Sequence, residues 1–197
     1  VSELNTSTGS TLKNIPRISW IDDNEFYFYG GEEIYRYNWI KKSGSKWVST
    51  NAEMENFKLH SKSGNVAYTV GNNVWVMVDG KSRQVTKLDS GIVAGQAIAR
   101  SEFGITEGLF WSNDGNKLAF YQKDERNVTD YPLVDYTTMP AGPHFIKYPM
   151  AGSHGELASA GLYDLKNNTI VYLDVNNGVM NDKFYITNLS FTPDGKY

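Results

Sequence analysis

Trp111-Ser112-Asn113-Asp114-Gly115-Asn116-Lys117-Leu118-Ala119-Phe120 places a polar turn between two strand-like apolar runs. Asp-Gly supplies the positive φ a tight hairpin turn needs, because glycine has no Cβ to clash. Looser copies of the phrase occur elsewhere. Trp20-Ile21-Asp22-Asp23-Asn24-Glu25-Phe26-Tyr27-Phe28 is one residue shorter, as is His60-Ser61-Lys62-Ser63-Gly64-Asn65-Val66-Ala67-Tyr68. Phe191-Thr192-Pro193-Asp194-Gly195-Lys196-Tyr197 opens a fourth copy. Each copy places an aromatic residue or His before the turn and an apolar return strand after it. The copies lie 40, 51 and 80 residues apart, counted Trp20 to His60 to Trp111 to Phe191. Such repetition predicts an array of small antiparallel sheets, an all-β partial β-propeller of about three to four blades from a larger ring. Trp20, Trp111 and Phe191 are expected at equivalent blade positions.

Composition agrees. Aromatic residues make up 14% of the 197 residues, including 13 Tyr and 5 Trp, which suits strands better than helices. The net charge of −3 argues against a nucleic acid or an anionic membrane as partner. With no cysteine there is no disulfide framework and no thiolate chemistry. No apolar run reaches the length of a membrane-spanning helix, and Val1-Ser2-Glu3-Leu4-Asn5 is not a signal peptide. Asn-x-Ser/Thr triplets at Asn5, Asn127, Asn167 and Asn188 are common by chance.

Residues 1–14 are polar and expected to be poorly ordered, so the propeller portion is assigned to residues 15–197. Strands are expected at Glu25–Tyr29, Glu33–Trp39, Asn65–Val70 and Asn73–Val78, with Gly30-Gly31, Ser43-Gly44 and Gly71-Asn72-Asn73 as breaks. Leu109–Trp111 with Lys117–Gln122 is the best-defined hairpin. Lys123 to Gly155 breaks the rhythm with four of the six prolines, Pro132, Pro140, Pro143 and Pro149, and reads as a loop excursion. Strands are expected again at Leu157–Leu165, Thr169–Leu173 and Phe184–Phe191.

Catalytic machinery is not apparent. No Gly-x-Ser-x-Gly elbow occurs, and Gly152-Ser153-His154-Gly155 lacks its spacing. His60, His144 and His154 are not spaced as metal ligands, so neither a metal nor a cofactor is expected. Arg100-Ser101-Glu102 lies just before the strongest hairpin. Residue type leaves two readings of Glu102 open, a solvated loop carboxylate or an anion ready to receive an ammonium group.

Gly95-Gln96, Arg100-Ser101-Glu102-Phe103-Gly104-Ile105, Phe110-Trp111-Ser112, Leu118-Ala119-Phe120-Tyr121, Val134-Asp135-Tyr136 and Tyr148-Pro149-Met150-Ala151-Gly152 together resemble the N-terminal propeller of the dipeptidyl peptidase IV family, in the prolyl oligopeptidase clan. Within it the chain most resembles bacterial prolyl tripeptidyl peptidases. The resemblance implies an eight-bladed propeller capping an α/β-hydrolase domain with a Ser-Asp-His triad, that domain being absent from this chain, and a periplasmic or extracellular location. It implies a peptide substrate with a free N-terminus and Pro at the second or third position. Paired glutamates hold the substrate's ammonium in that family. Ser101-Glu102 stands where the pair would be, so Glu102 carries over as the anchor and a second glutamate does not. Ser101 and Arg100 are the accompanying candidates, and Asp124, Glu125 and Arg126 lie where the family contacts substrate less consistently. A stand-alone binding or scaffold propeller is the alternative, with a periplasmic propeller sensor a third reading. Open propeller edges predict self-association.

Overall fold

The computed structural model describes residues 1–173, 185–195 and 197, and they build three antiparallel blades of an incomplete β-propeller. Blade one is β1 (Ile18–Trp20), β2 (Glu25–Gly30), β3 (Glu33–Asn38) and β4 (Ser43–Ser49), paired in that order. Blade two repeats the pattern with β5 (Glu55–Leu59), β6 (Val66–Val70), β7 (Asn73–Val78) and β8 (Lys81–Gln84). In β6 and β7 residues such as Val66, Tyr68, Val74 and Val76 are buried, as near-continuous apolar strands sandwiched between sheets must be. Asp79 and Gly80 join β7 to β8 with φ of 49° and 73°, both central residues left-handed, as a twist-matched two-residue turn demands.

Blade three departs from four strands. Its central strand β11 (Lys117–Asp124) carries two short strands end to end along one edge, β9 (Ile92–Ala94) against Gln122–Asp124 and β10 (Leu109–Trp111) against Leu118–Phe120. On its other edge β11 pairs along its whole length with the strand Leu157–Asp164, which pairs in turn with Thr169–Tyr172. Between β11 and those strands the chain runs out into a hairpin arm, β12 (Asp130–Asp135) and β13 (Gly142–Lys147), so the strand Leu157–Asp164 is β14 and Thr169–Tyr172 is β15.

Two apolar seams join the blades. Tyr27, Ile34, Trp47 and Val48 of blade one pack on Leu59, Val66, Tyr68 and Met77 of blade two. Ala67, Val74 and Val76 of blade two pack on Leu109, Leu118, Phe120 and Tyr163 of blade three. The repeated turn phrases lie on one side and touch. His60 is 8% exposed, with Nε2 3.3 Å from the Asn113 carbonyl, and burial pulls its pKa down. Asn113 Nδ2 donates to the Pro193 carbonyl at 2.7 Å. The aromatic Trp111 closes the second seam, its Nε1–H donating to the Lys58 carbonyl of β5 at 3.0 Å.

The hydrogen bonds correct the alignment of the repeat. The amides of Ile21, His60, Ser112 and Thr192 donate across their turns to Glu25, Asn65, Lys117 and Tyr197. Trp20, Leu59, Trp111 and Phe191 are therefore equivalent, and His60 stands where Ser112 does, one place later than the sequence pattern suggested. Position does not guarantee environment: Trp20 is 56% exposed because no blade precedes blade one among the described residues.

Four further expectations differ from the structure. Residues 1–14 hold a helix, α1 (Ser2–Thr8), ended by Gly9 in the left-handed region at φ 74°. Leu4 and Leu12 pack on Phe26, Phe28, Tyr35 and Tyr37, a blade face on which no other blade sits among the described residues, and that burial orders a polar segment. Ser43-Gly44 begins β4 rather than breaking the chain, since Gly44 lies so close to the Arg36 carbonyl and Tyr37 that a Cβ would clash. The proline-rich excursion contains the β12–β13 ribbon, with Pro132, Pro140 and Pro143 in a lone two-stranded hairpin that has open edges. Residues 185–191 form no strand, and Phe184 lies outside the described residues.

Candidate functional site

The chain leaves the edge of β11 after β9, at Gly95, and returns at β10, so residues 95–108 form an excursion held at its base. The Gly95 amide donates to the Tyr121 carbonyl at 2.8 Å and the Tyr121 amide donates to the Gly108 carbonyl at 3.0 Å. Both flanks need glycine. Gly95 has φ 79°, and a Cβ on Gly108 would stand 2.3 Å from the Gln96 carbonyl group.

At the tip, Ala99–Gly104 makes two short turns across a kink. Ala99, Arg100, Ser101 and Phe103 have φ of 49°, 52°, 63° and 56°, whereas Glu102 is extended at φ −73°, ψ 171°. Left-handed backbone costs a non-glycine residue about 1–2 kcal/mol, so this run persists only because its surroundings hold it. Ile98, Ala99 and Ile105 are buried with Tyr121 and anchor both ends. The Ala99 amide donates to Glu156 Oε1 at 2.5 Å. Arg100 lies over the Tyr148 ring at 4.4 Å and donates to the Lys147 carbonyl at 3.0 Å. Phe103 meets Tyr185 with ring centroids 5.1 Å apart.

Between this tip and the base of the arm lies a cleft of about 430 Å³, lined by Arg100, Glu102, Tyr148, Pro149, Met150, Ser153, Glu156 and Tyr185 among others. A smaller one of about 260 Å³ lies beside it, lined by Ser101, Lys123, Glu125 and Lys147, with Arg100, Pro149 and Glu156 common to both. The structure thus brings Arg100 and Glu102 into one cleft and puts Ser101 in its neighbour. Among the described residues the exposed Glu102 carboxylate has no partner, whereas Arg100 is committed to Tyr148 and Lys147. Glu125 pairs with Lys123 at 2.7 Å in the smaller cleft. Asp124 and Arg126 are tied to each other through two guanidinium nitrogens, which lowers the Asp124 pKa.

An arrangement of this kind is suited to holding a cation. An exposed carboxylate such as Glu102 beside aromatic and apolar walls can accept hydrogen bonds from a cation. Ser153 Oγ donates to the Met150 carbonyl. No group of three metal-ligating side chains occurs among the described residues. No helix among them is long and apolar enough to cross a membrane. Glu156 was not singled out from sequence, because nothing in Gly155-Glu156-Leu157 signals that it reaches Ala99, 57 positions earlier. Tyr148, Pro149 and Met150 served there only as marks of resemblance, yet they wall the cleft.

Known proteins share this architecture. A dipeptidyl-aminopeptidase B of Talaromyces marneffei, so named, is 28% identical over 154 residues, 68% of this chain and 17% of its own length. One of Tuber melanosporum is 33% identical over 107 residues, 48% of this chain and 12% of its own length. A crystal structure titled as a dipeptidyl aminopeptidase IV from Bacteroides ovatus superposes with a TM-score of 0.86 at 33% identity, over 99% of this chain and 27% of that one. Porphyromonas gingivalis dipeptidyl peptidase 4 shares the fold at TM-score 0.65 and 20% identity, over 89% of this chain and 25% of its own. The chain spans about a sixth of the first of these fungal relatives and about a quarter of each of these solved chains. The family pattern described as the dipeptidyl peptidase IV (DPP IV) N-terminal region matches residues 15–197, and the chain belongs to that family.

Proposed function

We propose that this chain is the substrate-gating, N-terminus-recognising propeller portion of a prolyl di- or tripeptidyl serine exopeptidase, with Glu102 as the anchor for the substrate's ammonium group. The reaction itself belongs to an α/β-hydrolase domain elsewhere in the full-length protein, which acts in the periplasm or outside the cell. One observation carries the reading: Glu102, a carboxylate with no partner among the described residues, stands at a cleft on a backbone run strained enough to need dedicated support. A free peptide N-terminus is a compact cation with three donors, and a carboxylate is its natural acceptor. Arg100 is the nearby cation, and its stacking on Tyr148 keeps it from quenching Glu102.

Binding the ammonium at a fixed distance from the scissile bond makes the enzyme an exopeptidase by positioning alone. Ser101, where the family pair has its other glutamate, leaves Glu102 as the one carboxylate of the Ala99–Gly104 tip and accords with release of tripeptides as well as dipeptides. The test compares free and N-acetylated Pro-containing peptides on the full-length protein. Glu102→Gln keeps the shape and removes the charge, and is expected to lower kcat/KM for the free-amine peptide by roughly 10- to 1000-fold while sparing the acetylated one. Equal loss on both peptides, or none, rejects the anchor.

A further inference from the structure

We infer that Glu156 is a positioning residue: its carboxylate clamps the Ala99 amide and so sets the strained turn that presents Glu102. The functional part of this inference rests on the reading of Glu102 as the ammonium anchor. Ala99 is the first residue of the left-handed run at the tip, at φ 49°. Ala99 has its side of the turn buried against Tyr121, and its N–H has Glu156 Oε1 as acceptor at 2.5 Å. A carboxylate acceptor makes this a charge-assisted bond, stronger than one to a neutral carbonyl.

Glu156 is itself held by the sheet. Asp124 pairs with Leu157 and Lys123 with Ala158, so Glu156 sits one residue beyond the last pair of the longest ladder in blade three. Its Oε2 lies 3.9 Å from Lys123 Nζ, which also contacts Glu125 at 2.7 Å. All three side chains are only 15–17% exposed, so the triad is partly screened from water and keeps a fixed geometry. The chemistry is a relay of position: a rigid strand pair holds Glu156, Glu156 holds the Ala99 amide, and the turn that follows places Glu102.

Three variants separate this from a charge-balancing role toward Lys123. Glu156→Gln keeps an acceptor oxygen at the same reach and loses the charge. Glu156→Asp keeps the charge and withdraws the oxygen by about one C–C bond, ~1.5 Å. Glu156→Leu loses both. The first readout is hydrogen exchange of the Ala99 amide, measured without substrate, with the β6 and β7 amides as the control for folding. The second is the free-to-acetylated ratio of kcat/KM in the full-length protein. Exchange at Ala99 is expected to rise about tenfold or more in Glu156→Asp and Glu156→Leu, with Glu156→Gln closest to the parent, and discrimination is expected to fall in the same order. Unchanged exchange in all three overturns the inference, as does the reverse order with Asp near the parent and Gln impaired. Should Glu156→Leu fail to fold, Asp and Gln still decide. Because exchange is read without peptide, loss of the Glu102 reading leaves the clamp standing, and loss of the clamp leaves Glu102 to its own test.

Discussion

Replacing Gly115 by alanine probes the contact between successive turn phrases. The backbone contribution is that of any left-handed glycine: Gly115 has φ 69° and forcing a Cβ there costs about 1–2 kcal/mol. Gly80→Ala isolates that contribution, for Gly80 has φ 73° and an added Cβ would meet nothing within 4 Å. On Gly115 the same Cβ would lie 2.6 Å from His60 Nδ1 and 2.8 Å from Cε1. His60 cannot easily yield. Its Nδ1 lies 2.8 Å from Ser63 Oγ and 3.2 Å from the Ser63 amide, its Nε2 faces the Asn113 carbonyl, and the ring is buried. Overpacking such a site adds about 1–3 kcal/mol, so Gly115→Ala should cost about 2–5 kcal/mol and Gly80→Ala only 1–2. Urea unfolding of both variants measures the difference as a shift in midpoint at constant slope. Repeating Gly115→Ala on a His60→Ala background removes the clash and should return its cost to the Gly80 level, a coupling of about 1–3 kcal/mol. Equal costs for the two glycines, or a cost unchanged without the imidazole, would refute the reasoning.

Asp114→Ala should cost about 1 kcal/mol at neutral pH after allowance for solvent screening, since Asp114 accepts from Ser112 Oγ and from the Asn116 amide. Those bonds lower its pKa from 3.8 to about 2, so its contribution is complete above about pH 4 and lost as pH falls through 2. Acid-unfolding curves of parent and variant should therefore converge below pH 2. Leu4→Asp with Leu12→Asp should uncover Phe26, Phe28, Tyr35 and Tyr37, raising binding of a hydrophobic dye and self-association by light scattering; no change in either would show that α1 is not a cap. Gly161→Ala would set a Cβ 2.4 Å from Phe120 Cζ at the centre of blade three and should cost about 1–3 kcal/mol by calorimetry, a neutral result arguing against that packing.

Local chemistry was readable, and contacts between distant segments were not. The Asp114-Gly115 turn was visible because left-handed backbone leaves a glycine signature. His60 was misaligned because the pattern of aromatic, turn and apolar strand tolerates a slip of one residue that only the hydrogen bonds resolve. Residues 1–14 look disordered by composition, since two leucines carry their packing against a blade face made 14 or more residues later. The β12–β13 arm was hidden by prolines that a lone hairpin accommodates. At the site, Glu102 drew notice by charge and resemblance. The strain around it did not, since Ala99-Arg100-Ser101 and Phe103 are not residues that advertise positive φ.

The central claim is that Glu102 receives the free N-terminus of a peptide. The most direct measurement is a crystal structure of the full-length protein with a bound Pro-containing peptide. The account predicts the peptide's terminal nitrogen within about 3 Å of a Glu102 carboxylate oxygen, in the cleft walled by Tyr148 and Met150. A terminal nitrogen held by other residues, with Glu102 still facing solvent, would contradict it.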